Sequence, residues 1–393
     1  MRDIVITGAV RTAIGKFGGS LADIPVTELG AVVVKEAMRR ARISPGEVDE
    51  VVMGHVIQAG AGLNAARQVA LVSGLPISTP AYTVNKVCAS GLKAVALGAQ
   101  SIASGENEIV VAGGMENMSA APFLLPKARW GYRLGDGELL DSILSDALRD
   151  PTEGCPMGIT GENLAEEFGI GRRAQDEFAA RSQHRAVAAI EAGRFAAEIV
   201  PVEVPQRRGG PLAFSTDEFP RPGTTVEVLS TLRPAFKEDG TVTAGNASGI
   251  NDGAAAMVLL SEDEAKRRGI RPMARIVSSA SAGVEPARMG FGPVPATRAA
   301  LEKAGLTLTD IEVVELNEAF AAQSLAVIGQ LGLDPEIVNL NGGAIALGHP
   351  VGASGARILV TLLHIMADRG AHLGLATLCV GGGQGMAMIV AEG

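Results

Sequence analysis

Aromatic residues and cysteines are scarce in this chain. Aromatic side chains make up only 3% of its 393 residues, whereas there are 50 glycines. This composition predicts an interior packed from small side chains, with many tight turns. The three cysteines, Cys88, Cys155 and Cys379, are an odd number at wide spacing. That spacing favours neither a disulfide framework nor a metal site, and it predicts a reducing, cytoplasmic location.

Basic residues and long apolar runs are also in short supply. The chain has 34 basic and 43 acidic residues, a net charge of −9, and no lysine-rich tract, so nucleic acid is not an expected partner. Its longest uncharged tract, "GLATLCVGGGQGMAMIVA", is broken by glycines and Gln384, which predicts two buried strands joined by a turn. The opening "MRDIVITGAVRTAIG" reads as a strand and a turn rather than a signal peptide. We therefore expect no membrane partner.

Strand-like and helical patterns alternate at both ends of the chain, which predicts a layered α/β fold with buried strands. The stretches that follow Cys88 and Gly352 share an Ala-Ser-Gly opening, a helical pattern, an apolar strand and a glycine turn. A duplicated unit is the simplest account. Aligning these motifs sets Cys88 opposite Gly352 and Cys379 opposite Val111, so each half carries a cysteine that the other lacks.

The middle of the chain differs in texture from both ends. Residues 119–249 combine proline, glycine, mixed charges and the sole tryptophan, which is typical of surface helices and loops attached to a core. We expect an N-terminal core half at 1–118, completed by 250–270, and a C-terminal half at 271–393. Residues 119–249 then form an inserted loop domain.

Cys88 and His349 are the candidates for chemistry. Apolar spacing after "TVNKVCASGLKAV" places Cys88 at a helix start, where the helix dipole lowers a thiol pKa; a buried, inert cysteine is the alternative. A nucleophilic cysteine needs a base. His349 stands in "NGGAIALGHPVGASGAR", among glycines that allow close approach, although a turn histidine could also merely cap backbone groups.

Four signals occur together: Cys88, "NEAF", "GHP" and "CVGGG". With "AVRTAIGKFGGSL", "AGGMENMS", "GNASGINDGAAA" and "LCVGGGQG", they make the chain resemble the thiolase family over essentially its full length. The resemblance implies a thiolase-like duplicated five-layered α-β-α-β-α core with an inserted loop domain. It also implies a homotetramer built as a dimer of dimers.

The resemblance further implies a division of roles in the reaction. Cys88 takes the acyl group, His349 accepts its proton, and Cys379 is the acid/base for the carbon acid. His349 and a water held by Asn317 stabilise one thioester oxygen. The backbone N–H groups of Cys88 and Gly381 form the other oxyanion hole.

Residues of a coenzyme A groove are implied in the same way, with coenzyme A as substrate and product and no cofactor. They are Ser248 facing the pantetheine, Arg221 near the adenine, Phe236 and Ala244 in the tunnel, Ala319 and Phe320 of "NEAF", and Met157 and Met289 at the acyl end. Each could instead be ordinary loop or core packing.

The implied activity is acetyl-CoA C-acetyltransfer, the reversible condensation of two acetyl-CoA to acetoacetyl-CoA and CoA through acyl-Cys88. One departure is Pro156 in "CPMG", where acetoacetyl-CoA thiolases often have histidine. A broader 3-ketoacyl-CoA thiolase is therefore the alternative. A non-catalytic acyl-CoA binding protein would lack a nucleophile or an oxyanion group, and a ketoacyl synthase typically has a second histidine in place of Cys379.

Overall fold

The computed structural model describes residues 2–393. Its strands are β1 (Ile4–Thr12), β2 (Gly15–Lys16), β3 (Glu50–Gly54), β4 (Ala81–Val84), β5 (Ile109–Asn117), β6 (Phe123–Leu124), β7 (Leu140–Asp141), β8 (Ile199–Val200), β9 (Val202–Val204), β10 (Leu212–Phe214), β11 (Asn251–Ser261), β12 (Ala274–Gly283), β13 (Val313–Leu316), β14 (Leu373–Val380) and β15 (Gln384–Glu392). Its α-helices are α1 (Val26–Ala41), α2 (Ala65–Val72), α3 (Ser90–Ser104), α4 (Met157–Glu167), α5 (Arg172–Glu191), α6 (Val226–Ser230), α7 (Glu262–Arg268), α8 (Pro293–Ala304), α9 (Ala321–Leu331), α10 (Ala344–Leu347) and α11 (Val351–Arg369).

One strand order occurs twice in the sheet. The first half runs β1-β11-β5-β3-β4 and the second runs β12-β15-β14-β13, with two antiparallel pairings followed by parallel ones in each. A parallel bridge between Val314 and Val338 stands in the second half where β4 stands in the first. The halves join through Val5 and Ile6 of β1, which pair with β12. The repeated topology confirms the predicted duplication.

The position of Cys379 within the repeat differs from the prediction. The carbonyl of Ile109 in β5 accepts a hydrogen bond from the residue that precedes β3. The carbonyl of Leu373 in β14 accepts one from the residue that precedes β13, so Ile109 and Leu373 are equivalent positions in the two halves. Counting along both strands places Cys379 opposite Met115, and the predicted pairing with Val111 is wrong. The motif alignment matched the glycines of both halves. In the structure Gly113 and Gly114 of the first half lie inside β5, whereas Gly381 and Gly382 of the second half follow the end of β14.

The predicted five layers are held together by three hydrophobic clusters: one lies beneath each outer layer of helices, and the third encloses the central helices between the two halves of the sheet. Helices α1 and α2 cover the outer face of the first half, α8 and α9 cover that of the second, and α3 and α11 lie between the halves. Alternate side chains of β5 point into different clusters: Val111 packs outward, while Val110 and Ala112 join the central cluster together with Leu378 of β14. This alternation is what a strand buried on both faces produces.

Two apolar segments belong to this interior. The uncharged C-terminal tract forms the antiparallel pair β14 and β15, which confirms the two predicted strands. Helix α11 is long and apolar enough to cross a membrane, but 83% of its apolar window is buried inside the protein. Such burial is typical of a core helix.

The repeated Ala-Ser-Gly motifs meet where α3 and α11 cross. A Cβ on Gly91 would lie 2.8 Å from the backbone nitrogen of Ala356, and one on Gly355 would lie 2.6 Å from that of Leu92. Only glycine allows helices to approach so closely. The crossing therefore brings together the turns that precede both helices.

Candidate active site

Cys88 lies in a rigid turn directly before α3, as predicted. The hydroxyl of Ser90 donates to the carbonyl of Val87 at 2.6 Å and accepts from the backbone N–H of Lys86 at 2.9 Å. Val87 has φ +47°, a left-handed conformation that is unfavourable for a β-branched residue. Strain of this kind persists only where the surrounding contacts enforce it, and here the two Ser90 hydrogen bonds hold the turn.

The predicted lowering of the Cys88 pKa is wrong for the free protein. Although the residue keeps part of its surface exposed, burial of the thiol raises its pKa to about 11. Hydrogen bonds to the sulfur from the backbone N–H groups of Gly381 and Cys88 oppose this rise, and the carboxylate of Glu116 adds to it. Removing the anion from water outweighs the helix N-terminus, so Cys88 rests as the neutral thiol.

Cys379 stands close to Cys88, at the end of β14. Its side chain is fully buried, and burial, followed by the nearby Cys88, raises its pKa well above the usual range. In the turn that follows, a Cβ on Gly381 would lie 3.1 Å from Val87 and 3.3 Å from Met157. The glycine lets the backbone of this turn approach the Cys88 turn.

His349 is buried between α10 and α11. Its backbone N–H donates to Asn251 Oδ1 at 2.9 Å, and its Nδ1 lies 2.6 Å from Ser354 Oγ. Burial, with a smaller effect from Arg357, lowers its pKa to about 3. The imidazole is therefore neutral at physiological pH and has a lone pair available for a proton.

Asn317 directly follows β13, and its backbone N–H donates to the carbonyl of Thr377 at 3.0 Å. Both polar atoms of its side chain are buried and find no hydrogen-bond partner among residues 2–393. A buried amide of this kind has unused capacity for a water or a substrate oxygen.

Two buried glutamates of the site were not predicted. Glu318 follows Asn317 and accepts hydrogen bonds from Ser182, Asn339 and the backbone N–H of Ile345. It thereby ties the Asn317 turn to α5 and to the segment that leads to His349. The only sequence signal is a charged residue inside the apolar "NEAF" context.

The second unpredicted glutamate, Glu116 in β5, lies beneath the Cys88 turn. It accepts hydrogen bonds from the backbone N–H groups of Val56, Ile57 and Gly352 at 2.9–3.2 Å. A Cβ on Gly352 would lie 2.6 Å from Glu116 Oε2. The position equivalent to Cys88 in the second half therefore has no room for a side chain.

A cavity of about 490 Å³ opens beside His349. Six of the predicted groove residues line it: Ser248, Arg221, Phe236, Ala244, Met157 and Phe320. Phe17, Met118, Leu148 and Phe219 also line it and were not predicted. Met289 and Ala319 do not lie on its wall but pack with Phe320 against Cys379. The site combines a thiol, a neutral imidazole, a second buried thiol and a largely apolar channel, which is a constellation suited to covalent acyl transfer.

Two family models cover nearly the whole chain. The model for the thiolase N-terminal domain matches residues 4–263, and that for the thiolase C-terminal domain matches residues 270–392. The chain belongs to the thiolase family.

Similar proteins match over their full length. An Escherichia coli protein named acetyl-CoA acetyltransferase is 61% identical, with 99% of each chain covered. The crystal structure of the Bacillus anthracis acetyl-CoA acetyltransferase superposes with a TM-score of 0.98 at 49% identity, covering 100% of this chain and 99% of the other. The human mitochondrial 3-ketoacyl-CoA thiolase gives 0.96 at 45% identity, with the same coverage.

Proposed function

We propose that this thiolase is an acetyl-CoA acetyltransferase, which interconverts two acetyl-CoA with acetoacetyl-CoA and CoA. Full-length relatives that carry this name support the activity. The observation that carries the mechanism is the proximity of the Cys88 and Cys379 thiols to each other and to Val351 and Phe320, which line the same cavity as His349.

The first half-reaction of cleavage includes two proton transfers, one when Cys88 attacks and one when the carbanion departs. The Cys88 thiol gives its proton to His349 while its sulfur attacks the ketone carbon of acetoacetyl-CoA. The carbon–carbon bond breaks, and the departing acetyl-CoA carbanion takes the proton of Cys379. The raised pKa of Cys379 keeps this thiol protonated until the carbanion forms.

The second half-reaction restores the site. The thiol of CoA gives its proton to the Cys379 thiolate, and its sulfur attacks the acyl carbon on Cys88. The Cys88 sulfur leaves and regains its proton from His349. Because the sulfur of Cys88 is blocked while it carries the acyl group, a second acid/base is required, and Cys379 supplies it.

Four groups stabilise the oxyanions that form in this reaction. The backbone N–H groups of Cys88 and Gly381, whose interaction with the Cys88 sulfur opposes the rise of its pKa, bind the oxygen that develops on the acyl carbon. The amide of Asn317, with His349, binds the thioester oxygen of the carbanion through a water.

The test is peptide mass spectrometry after brief incubation with acetyl-CoA. We expect an added acetyl group on the Cys88 peptide and none on that of Cys155, which is also partly exposed. The Cys155→Ser variant is the matched control and should retain full labelling, whereas Cys88→Ser should lose it. An active protein labelled only elsewhere would contradict the assignment.

A broader 3-ketoacyl-CoA thiolase is the second candidate, because Pro156 replaces a polar ligand-facing residue. Pro156 caps α4, and the neighbouring Met157 lines the cavity. The ratio of kcat/KM for acetoacetyl-CoA to that for 3-ketohexanoyl-CoA separates the candidates. A ratio near or below one would favour the broad enzyme; a ratio above about a thousand would exclude it.

The inserted segment also bears on how the protein assembles in the cell. Residues 119–249 form an insertion that supplies one wall of the groove and oligomer contacts, since Trp130 and Leu134 are 87% and 99% exposed. A cytoplasmic homotetramer, a dimer of dimers, would cover them. Light scattering that finds a monomer at micromolar concentration would contradict this assembly.

A further inference from the structure

We propose that Ser354 is a positioning residue that fixes His349 as its Nδ1–H tautomer and so leaves Nε2 as the nitrogen that takes the Cys88 proton. The inference rests on the proposed role of His349 as the base in the reaction.

The hydrogen bonds of Ser354 determine this tautomer. A serine hydroxyl has one hydrogen, and Ser354 Oγ donates it to the carbonyl of Pro350 at 2.8 Å. Toward His349 Nδ1, at 2.6 Å, the same oxygen can then only accept. Nδ1 must carry the ring hydrogen, because the imidazole is neutral and has only one.

The opposite tautomer is disfavoured by the same geometry. An unprotonated Nδ1 would require the Ser354 hydrogen to point toward the ring. The oxygens of Ser354 and Pro350, 2.8 Å apart, would then face each other with no hydrogen between them. The carbonyl is held in place by two further donors, the backbone N–H groups of Ala353 and Ser354, so it cannot turn away.

The serine of the other repeat has a parallel task. Ser354 and Ser90 occupy the same place in the two Ala-Ser-Gly motifs, and Ser90 holds the Cys88 turn through Lys86 and Val87. In each half the glycine of the motif allows the helices to cross, and the serine orients the group that lies before its own helix. The duplicated motif thus positions the nucleophile in one half and the base in the other.

Solid-state ¹⁵N NMR on protein labelled in the histidine rings tests the tautomer directly, and His349→Gln identifies the signal. We expect the wild-type protein to show a protonated Nδ1 and an unprotonated Nε2 between pH 6 and 8. In Ser354→Ala the preference should be lost. Enforcing the wrong tautomer on a catalytic histidine costs about 10⁴ in kcat. Alanine merely releases the ring and removes one hydrogen bond to the imidazolium, so we expect a fall of about ten- to a hundredfold in kcat for thiolysis, with KM for the acyl-CoA changed less than about threefold.

Ser278→Ala is the matched control. Ser278 is also buried and donates to a backbone carbonyl, that of Ala300 at 2.7 Å, but it lies in β12, outside the site. It should lose similar thermal stability and keep its kcat. A wild-type His349 protonated on Nε2, an unchanged tautomer in Ser354→Ala, or a kcat for that variant within twofold of the control would each overturn the proposal. If the wild-type protein shows the Nδ1–H signal but transfers no acetyl group, the proposed function fails and the tautomer assignment stands.

Discussion

Met289→Ala should widen the acyl end of the site. Met289 is 3% exposed and packs with Phe320 and Cys379, so its side chain closes the region behind the second thiol. The substitution removes three heavy atoms and leaves room for about two methylene groups. Each buried methylene contributes about 0.8 kcal/mol, so a two-carbon extension gains about 1.6 kcal/mol, or roughly fifteenfold.

The assay is thiolysis of acetoacetyl-CoA and 3-ketohexanoyl-CoA by the wild-type protein and the variant. We expect the kcat/KM ratio to move toward the longer substrate by about ten- to twentyfold. The free energy of unfolding should fall by about 2–5 kcal/mol, because a cavity forms in the free protein.

Met53→Ala separates specificity from stability. Met53 is a fully buried methionine in β3, packed in the outer cluster of the first half and not in the site. It should show a similar loss of stability with no change in the substrate ratio. If Met289→Ala shifts the ratio less than twofold, or if Met53→Ala shifts it equally, then Met289 does not limit chain length.

Three further outcomes are expected. Cys379→Ser should keep acetyl exchange through Cys88 but lose about two to four orders of magnitude in condensation, and equal loss of both would show that the thiols do not act separately. Because the pKa of His349 is lowered to about 3, its neutral form persists as the pH falls, so acylation of Cys88 should show no inflection between pH 8 and 5; one near pH 6.5 would contradict this. Gly352→Ala should lower the free energy of unfolding by about 1–3 kcal/mol through overpacking, measured with urea, whereas Gly46→Ala, in open space, should change it little.

Local patterns in the sequence were sufficient for the elements that carry the site. The helical spacing after Cys88 and the two strands around the C-terminal glycines both follow from periodicity, which is a property of consecutive residues. The duplicated order of strands was also detectable, because both copies keep the same motifs.

Features that depend on distant residues were not predictable in this way. The pKa of Cys88 depends on how completely folding removes its thiol from water, and no local pattern reports that burial. Glu116 accepts a hydrogen bond from Gly352, a residue 236 positions away. The error in placing Cys379 arose similarly, because strand register is set by pairing between strands rather than by the glycine motif.

The carboxylate of Glu116 also constrains how the site could change by mutation. A second nucleophile at the equivalent position, in the first turn of α11, would need Gly352→Cys, but its Cβ would meet both Glu116 Oε2 and the backbone carbonyl of Met115 at 2.6 Å. Removing the carboxylate first would leave three buried N–H groups without their acceptor, at a cost of about 1–3 kcal/mol each. Either change is unfavourable, and removing the carboxylate does not free the space, because the backbone carbonyl of Met115 would still lie 2.6 Å from the new Cβ. A path of single substitutions back to a symmetric pair of sites passes through a destabilised intermediate, and this barrier preserves the asymmetry of the duplicated fold.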